Sequence, residues 1–364
     1  MGAVDARGIH RNADVARPTS RSGSPPLDRR GVVWGLVGVA VTIAITFVGS
    51  DGLVWFDAAL IGYLFGVIFM VFGVIYRYTV WLRRPPTRML NRRGWDAFRA
   101  GRLRNAAALP ALVGSNLLAQ GFIRRRSTTR WIAHQLIFWG CILAVLITFP
   151  LTLGLLHFES VGQQGDRYQV YLSRVGTLKF DAESVLGWTL YHGLDIAAVL
   201  VLGGVFIFLR RRLTDPGALA VERSGDWLAL AGLFAVSVTG LFLTASSLWM
   251  EGRFYSALNT LHAITVILGL MYIPFGKLFH IFQRPGNLGV SYYKAANAGG
   301  EQAVCRRCGV EFASAQQIAD LREILPELGF DYGDDEGGNY QTTCPRCRRT
   351  QVALAQSQRV GGFG

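Results

Sequence analysis

The sequence predicts an all-α integral membrane helical bundle of about six spans with a small C-terminal zinc-ribbon-like module. Three observations lead there. Of 364 residues, 51% are hydrophobic, and the mean hydropathy is positive at +0.30. Several apolar runs are long enough to cross a bilayer. Four of the five cysteines form two C-x-x-C pairs, Cys305 with Cys308 and Cys344 with Cys347.

Taken in order, residues 1–30 are polar and rich in Arg, Pro and Ser, with no apolar core before the first long run. They read as a disordered cytoplasmic tail rather than a cleavable signal peptide. Six spans are expected at about 31–49, 57–80, 131–155, 185–209, 226–247 and 255–281. The net charge of +13 could suggest nucleic acid, but the arginines crowd at span ends, as in Arg83–Arg84, Arg124–Arg126 and Arg210–Arg212. With six spans all of these clusters fall on one side. That is the positive-inside pattern of a multi-pass membrane protein with both termini in the cytoplasm.

Between spans two and three, the moderately apolar piece 106–122 contains Pro110 and reads as a re-entrant or interfacial helix within a basic segment, 83–129. The loop 158–183 is expected to form a short hairpin or lid on the outer face. Asp226, beside Ser224 and Gly225, is a start signal for span five. Cys141 lies inside a span and reads as a small packing residue.

The histidines carry the chemistry. His262 and His280 are eighteen residues apart, five whole turns if the helix is continuous, so they share a face and stand about 27 Å apart along the axis. His134 follows Arg130 by four residues and His280 precedes Arg284 by four, at matching depth on the arginine side; His192 lies eighteen residues before Arg210, near the level of His262. The expected pairs are therefore His134 with His280 and His192 with His262, each able to supply two axial ligands to a b-type haem. The competing reading is that these imidazoles only hydrogen-bond neighbouring helices. His157 falls at the outer surface and His10 in the tail, so neither is expected to bind haem. Asp195, three residues after His192, is a candidate proton acceptor for a quinol, with a hydrogen bond to an imidazole or a neighbouring helix as the alternative. Lys277 is a candidate contact for a haem propionate or a snorkelling interface lysine.

The runs IPFGKLFHIF at 273–282 and RWIAHQLIFWG at 130–140, and the stretch from LGWTLYHGLD through RRR to SGDWLALAGLFAVSVTGLFL, resemble the membrane cytochrome b family of the respiratory nitrate reductase gamma subunit. Within it they are more similar to the branch found in heterodisulfide-reductase-like and electron-transfer-flavoprotein–quinone iron–sulfur oxidoreductases. The resemblance covers about residues 57–290. It implies a haem b conduit between the quinone pool (menaquinone or ubiquinone) and a cytoplasmic iron–sulfur protein. By position it implies His134 and His280 as ligands of the cytoplasmic-side haem, and His262 as a ligand of the outer one. The family's second histidine on the third span is replaced here by Ala144, so His192 is the substitute, and span one is additional.

The two cysteine knuckles are separated by 35 residues and suit one tetrahedral zinc ion, with iron using the same ligand set. Arginines 306, 307, 322, 346, 348 and 349 surround them and suit docking of an acidic partner surface. The expectation is a dihaem quinone-facing electron-transfer subunit of an oxidoreductase complex, not active alone and not bound to nucleic acid. The alternative is a haem-free membrane transporter or scaffold whose zinc ribbon recruits cytoplasmic proteins. The expected domains are a tail (1–30), a cytochrome b domain (31–290) and a zinc-ribbon-like module (301–352).

Overall fold

The computed structural model describes residues 27–161, 166–215, 217, 224–333 and 338–359; His10 and nearly all of the expected tail lie outside them. In chain order the helices are α1 (Arg29–Gly49), α2 (Ile61–Arg83), α3 (Pro85–Ala100), α4 (Arg102–Val113), α5 (Thr128–Thr152), α6 (Val185–Tyr191), α7 (Gly193–Thr214), α8 (Ser224–Trp249), α9 (Tyr255–Tyr272), α10 (Asn287–Ala298), α11 (Ala315–Glu327) and α12 (Pro345–Arg359). Six of them, α1, α2, α5, α7, α8 and α9, are long and apolar enough to cross a membrane, so the chain is a multi-pass membrane protein. Outward-facing Val33, Trp34, Val41, Val199, Phe206 and Leu268 are exposed, as a lipid-facing surface requires.

The described chain folds as two compact units. One comprises residues 28–80 and 109–285, and the other joins 81–108 to the residues from 286 onward. In the second, the basic segment after α2 packs with the C-terminal residues, α3 against α10.

In the first unit α1 lies on α2, with Gly31 and Gly35 seated against the rings of Tyr76 and Phe72. Gly66 of α2 opens onto Leu270 of α9, α9 packs on α8, and α8 on α7. The approach of α5 to α7 is the closest helix packing to matter here. A Cβ on Gly140 would lie 2.8 Å from the Ala197 carbonyl oxygen, and Ala133 is fully buried against Gly204. Between α5 and α6 the chain forms a three-stranded antiparallel meander, β1 (Leu156–Ser160), β2 (Arg167–Leu172) and β3 (Val175–Asp181), one strand more than the expected hairpin.

Two expected spans are not continuous helices. The fourth is split at His192, which caps both α6 and α7 with φ −97° and ψ 8°. The sixth stops at Tyr272. Residues 273–276 turn, a 3-10 turn covers Lys277–Phe279, and one helical turn covers His280–Gln283. Pro274 removes a helical N–H and its ring fills the space that a side chain on Gly73 would take, so the bend is seated on α2. No single helix carries both His262 and His280, and the five-turn relation expected between them is lost. The expected re-entrant piece is α4, a π turn at Gly114–Leu118 and then Gln120 in the left-handed conformation (φ 48°, ψ 46°). Trp131 Nε1 and Gln135 Nε2 of α5 donate to the Ala119 and Leu118 carbonyls at 2.7 and 3.1 Å, holding this piece against α5.

In the second unit α3 and α10 cross with their backbones touching, since a Cβ on Gly94 would lie 2.8 Å from the Gly289 carbonyl oxygen. Arg88, Arg92 and Arg93 of α3 pair with Glu327, Glu323 and Asp320 of α11. Tyr293 of α10 donates to the same Asp320 at 2.8 Å. The short hairpin β4 (Gln302–Val304) and β5 (Glu311–Ser314) leads into α11.

Candidate functional site

The bend after α9 aims His280 inward. The Arg77 guanidinium donates to the carbonyls of Pro274 and Gly276 and lies 4.3 Å over the Phe279 ring, which is 1% exposed. His280 Nδ1 then donates to the Lys277 carbonyl at 2.7 Å, which fixes the ring and leaves Nε2 with its lone pair. Across from it stands His134, presented by the tight α5–α7 seam. The two ring centroids are 6.2 Å apart with planes at 74°.

A ring nitrogen lies about 1.1 Å from its centroid and binds metal at about 2 Å, so two axial imidazoles across one ion have centroids about 6 Å apart. The observed separation meets that requirement. His134 Nδ1 is buried and has no hydrogen-bond partner among the described residues, which is rare for a buried polar atom. A cleft of about 590 Å³ beside His280 is lined by Arg77, Tyr272, Phe275, Lys277 and Phe279, placing two cationic side chains at its edge. Lys277 thus contributes its carbonyl to the imidazole and its side chain to the cleft.

The other two imidazoles are each tied to α8. His262 Nδ1 lies 2.9 Å from Thr239 Oγ1, whose own proton goes to the Ala235 carbonyl, so the imidazole is the donor and Nε2 carries the lone pair. Gly240 leaves room for this ring, since a Cβ there would lie 3.3 Å from His262 Cε1. His192 Nδ1 lies 2.8 Å from Asp195 Oδ2, while Thr244 of α8 donates to Asp195 Oδ1 at 2.7 Å. Both carboxylate oxygens are therefore engaged, and the imidazole hydrogen bond weighed for Asp195 is present. His192 and His262 make no ring contact with each other among the described residues; Thr239, which holds His262, and Thr244, which holds Asp195, are five positions apart on α8. His157 is stacked between Trp55 and Tyr171, with centroids 4.5 and 5.1 Å away, at the meander.

Sequence reasoning missed Arg77, Thr239, Thr244, Gly240 and Gln120. The signal available was a polar side chain inside an apolar run, which within a bilayer needs a specific partner.

In the second unit, the four cysteine sulfurs at 305, 308, 344 and 347 lie within 4.8 Å of one another and could hold a metal ion such as zinc. The Cys308–Cys344 separation is 3.7 Å, against about 3.8 Å for the edge of a tetrahedron with zinc–sulfur bonds of about 2.3 Å. The first pair sits on the β4–β5 turn, where Gly309 takes φ +70°. The second opens α12, with Cys344 just before Pro345 at the first helical position and the thiolates at the positive end of the helix. Backbone N–H donation, chiefly from Cys344, lowers the Cys305 thiol to about 6, while burial holds Cys347 up to about 12. Metal binding at such a site requires thiolates and so releases protons.

The chain matches no family model, no curated protein and no solved structure.

Proposed function

We propose that this protein is a dihaem b membrane subunit that passes electrons between the quinone pool and a cytoplasmic iron–sulfur oxidoreductase. The single observation that carries the reading is the approach of the His134 and His280 rings, from separate spans, to 6.2 Å. Haem bound between such imidazoles supplies one-electron transfer within a low-dielectric shell. His134 and His280 would hold one group, with Arg77 and Lys277 neutralising acidic substituents at the cleft edge. His192 and His262 are the candidates for a second, each with Nδ1–H spent on a partner and Nε2 available.

Second partners of this kind are what metal-bound imidazoles ordinarily have, because the bond fixes tautomer and orientation. Asp195 serves His192 first. Accepting a quinol proton at Oδ1 or Oδ2 would compete with the donor already there, Thr244 or His192. The quinone type, the cysteine-bound ion (zinc in this reading, iron as the alternative) and the partner's acidic docking surface belong to the same proposal.

The test is substitution of the pair. His134→Ala and His280→Ala should each remove the same b-type signal from the dithionite-reduced spectrum and spare the other signal. Loss of different signals, or of none, would show that His134 and His280 do not share a haem; a wild-type spectrum with no b-type signal returns the chain to the haem-free reading, in which the cysteine module recruits proteins and the imidazoles only hold helices together.

A further inference from the structure

We infer that Gln120 Oε1 accepts from the Nδ1–H of His134 across one bridging water, and so is a positioning residue that tunes the group held between His134 and His280. The inference rests on the haem reading above. Three of the four histidines in question have Nδ1 engaged: His280 by the Lys277 carbonyl, His262 by Thr239, and His192 by Asp195. His134 is the exception, with a buried Nδ1 that has no partner among the described residues. The same first unit contains a buried acceptor in want of a donor. Gln120 is 6% exposed, and its Oε1 has no partner among the described residues.

Chain connections bring the two into one neighbourhood. Ala119, just before Gln120, is held by Trp131, three residues before His134. Phe122, two residues after Gln120, lies 4.5 Å under the guanidinium of Arg284, four residues after His280. Gln120 is thus bracketed by the residues flanking both imidazoles. Its backbone is built for that place. A non-glycine residue in the left-handed region is sterically costly, a π turn ends two residues before it, and both features recur where a side chain must be aimed. The two atoms make no direct hydrogen bond, so the pairing of orphan donor with orphan acceptor runs across one buried water, which satisfies two groups that would otherwise stay unpaired within the bundle.

The consequence is electronic as well as positional. An acceptor on Nδ1–H raises the basicity of Nε2 and favours the oxidised metal. Redox titration of the full-length protein in native membranes tests this, following separately the b-type signal that His134→Ala abolishes and the one that it spares. Gln120→Leu should make reduction of the first easier by about tenfold in equilibrium constant, an upward shift of about 59 mV, and leave the second unmoved. Gln120→Glu, nearly isosteric, should shift the first downward, with retained haem content as the check that the protein is folded. A wild-type protein that holds haem, but whose potentials ignore both substitutions, overturns the inference alone. A wild-type protein without haem overturns it together with the reading on which it rests.

Discussion

Thr239 and Thr244 show how much of this molecule's chemistry depends on single hydroxyls facing buried imidazoles and carboxylates. Thr239→Val leaves the Nδ1–H of His262 without its acceptor. Losses of such second partners typically weaken metal binding by about 10- to 100-fold. On the proposed haem reading, the expected outcome is reduced occupancy of the site served by His262 with the His134 signal intact, read as haem per chain during stepwise reconstitution. Tyr293 provides a pH test in the second unit. Burial, followed by its bond to Asp320, pushes the phenol up to about 12. The protonated form is therefore favoured by folding. Its contribution is complete below the ordinary tyrosine value of about 10 and is lost as pH rises through about 12. Alkaline unfolding followed by tryptophan fluorescence should lose that step in Tyr293→Phe. These roles were not legible in the sequence, where a threonine in an apolar run or a tyrosine in a polar one has many possible partners.

At the level of elements, the number and approximate limits of the six spans could be read from apolar runs and flanking arginines, since both follow from bilayer thickness and charge. The breaks inside them could not. Pro274 warned of one, yet whether proline kinks or ends a helix depends on what receives it, here Gly73 and Arg77 on α2. The depth match of His134 with His280 follows from counting residues to Arg130 and Arg284. It agrees with the observed ring approach although α9 ends at Tyr272, eight residues short of His280.

The Arg–acid contacts of α3 with α11 invite a graded test. Arg93→Ala strips a partner from Asp320, whose side chain is 8% exposed, and should cost about 1–3 kcal/mol. Arg88→Ala breaks an exposed pair and should cost under about 1 kcal/mol. Gly94→Val should be worse than the second, since its side chain meets the Gly289 backbone. Protease sensitivity at 81–108 ranks all three.

For the molecule as a whole, the histidine pair and the cysteine cluster sit in two separately packed units, so on the proposed reading their cofactors should be separable. Cys308→Ser, or chelation after mild unfolding, should remove about one equivalent of zinc per chain while the visible spectrum stays unchanged; metal analysis beside absorbance decides it. The cysteine pattern was the most legible feature of the chain because spacing alone restricts C-x-x-C knuckles to few uses. What sequence could not supply was the placement of the second pair at the start of α12.

The central claim, that imidazoles from separate spans hold haem, is tested most directly by counting haem. Pyridine haemochrome analysis of the purified full-length protein should give two b-type haems per polypeptide, falling to one in His134→Ala. A preparation that retains its metal-loaded cysteine module but shows no b-type α-band on reduction would contradict the account.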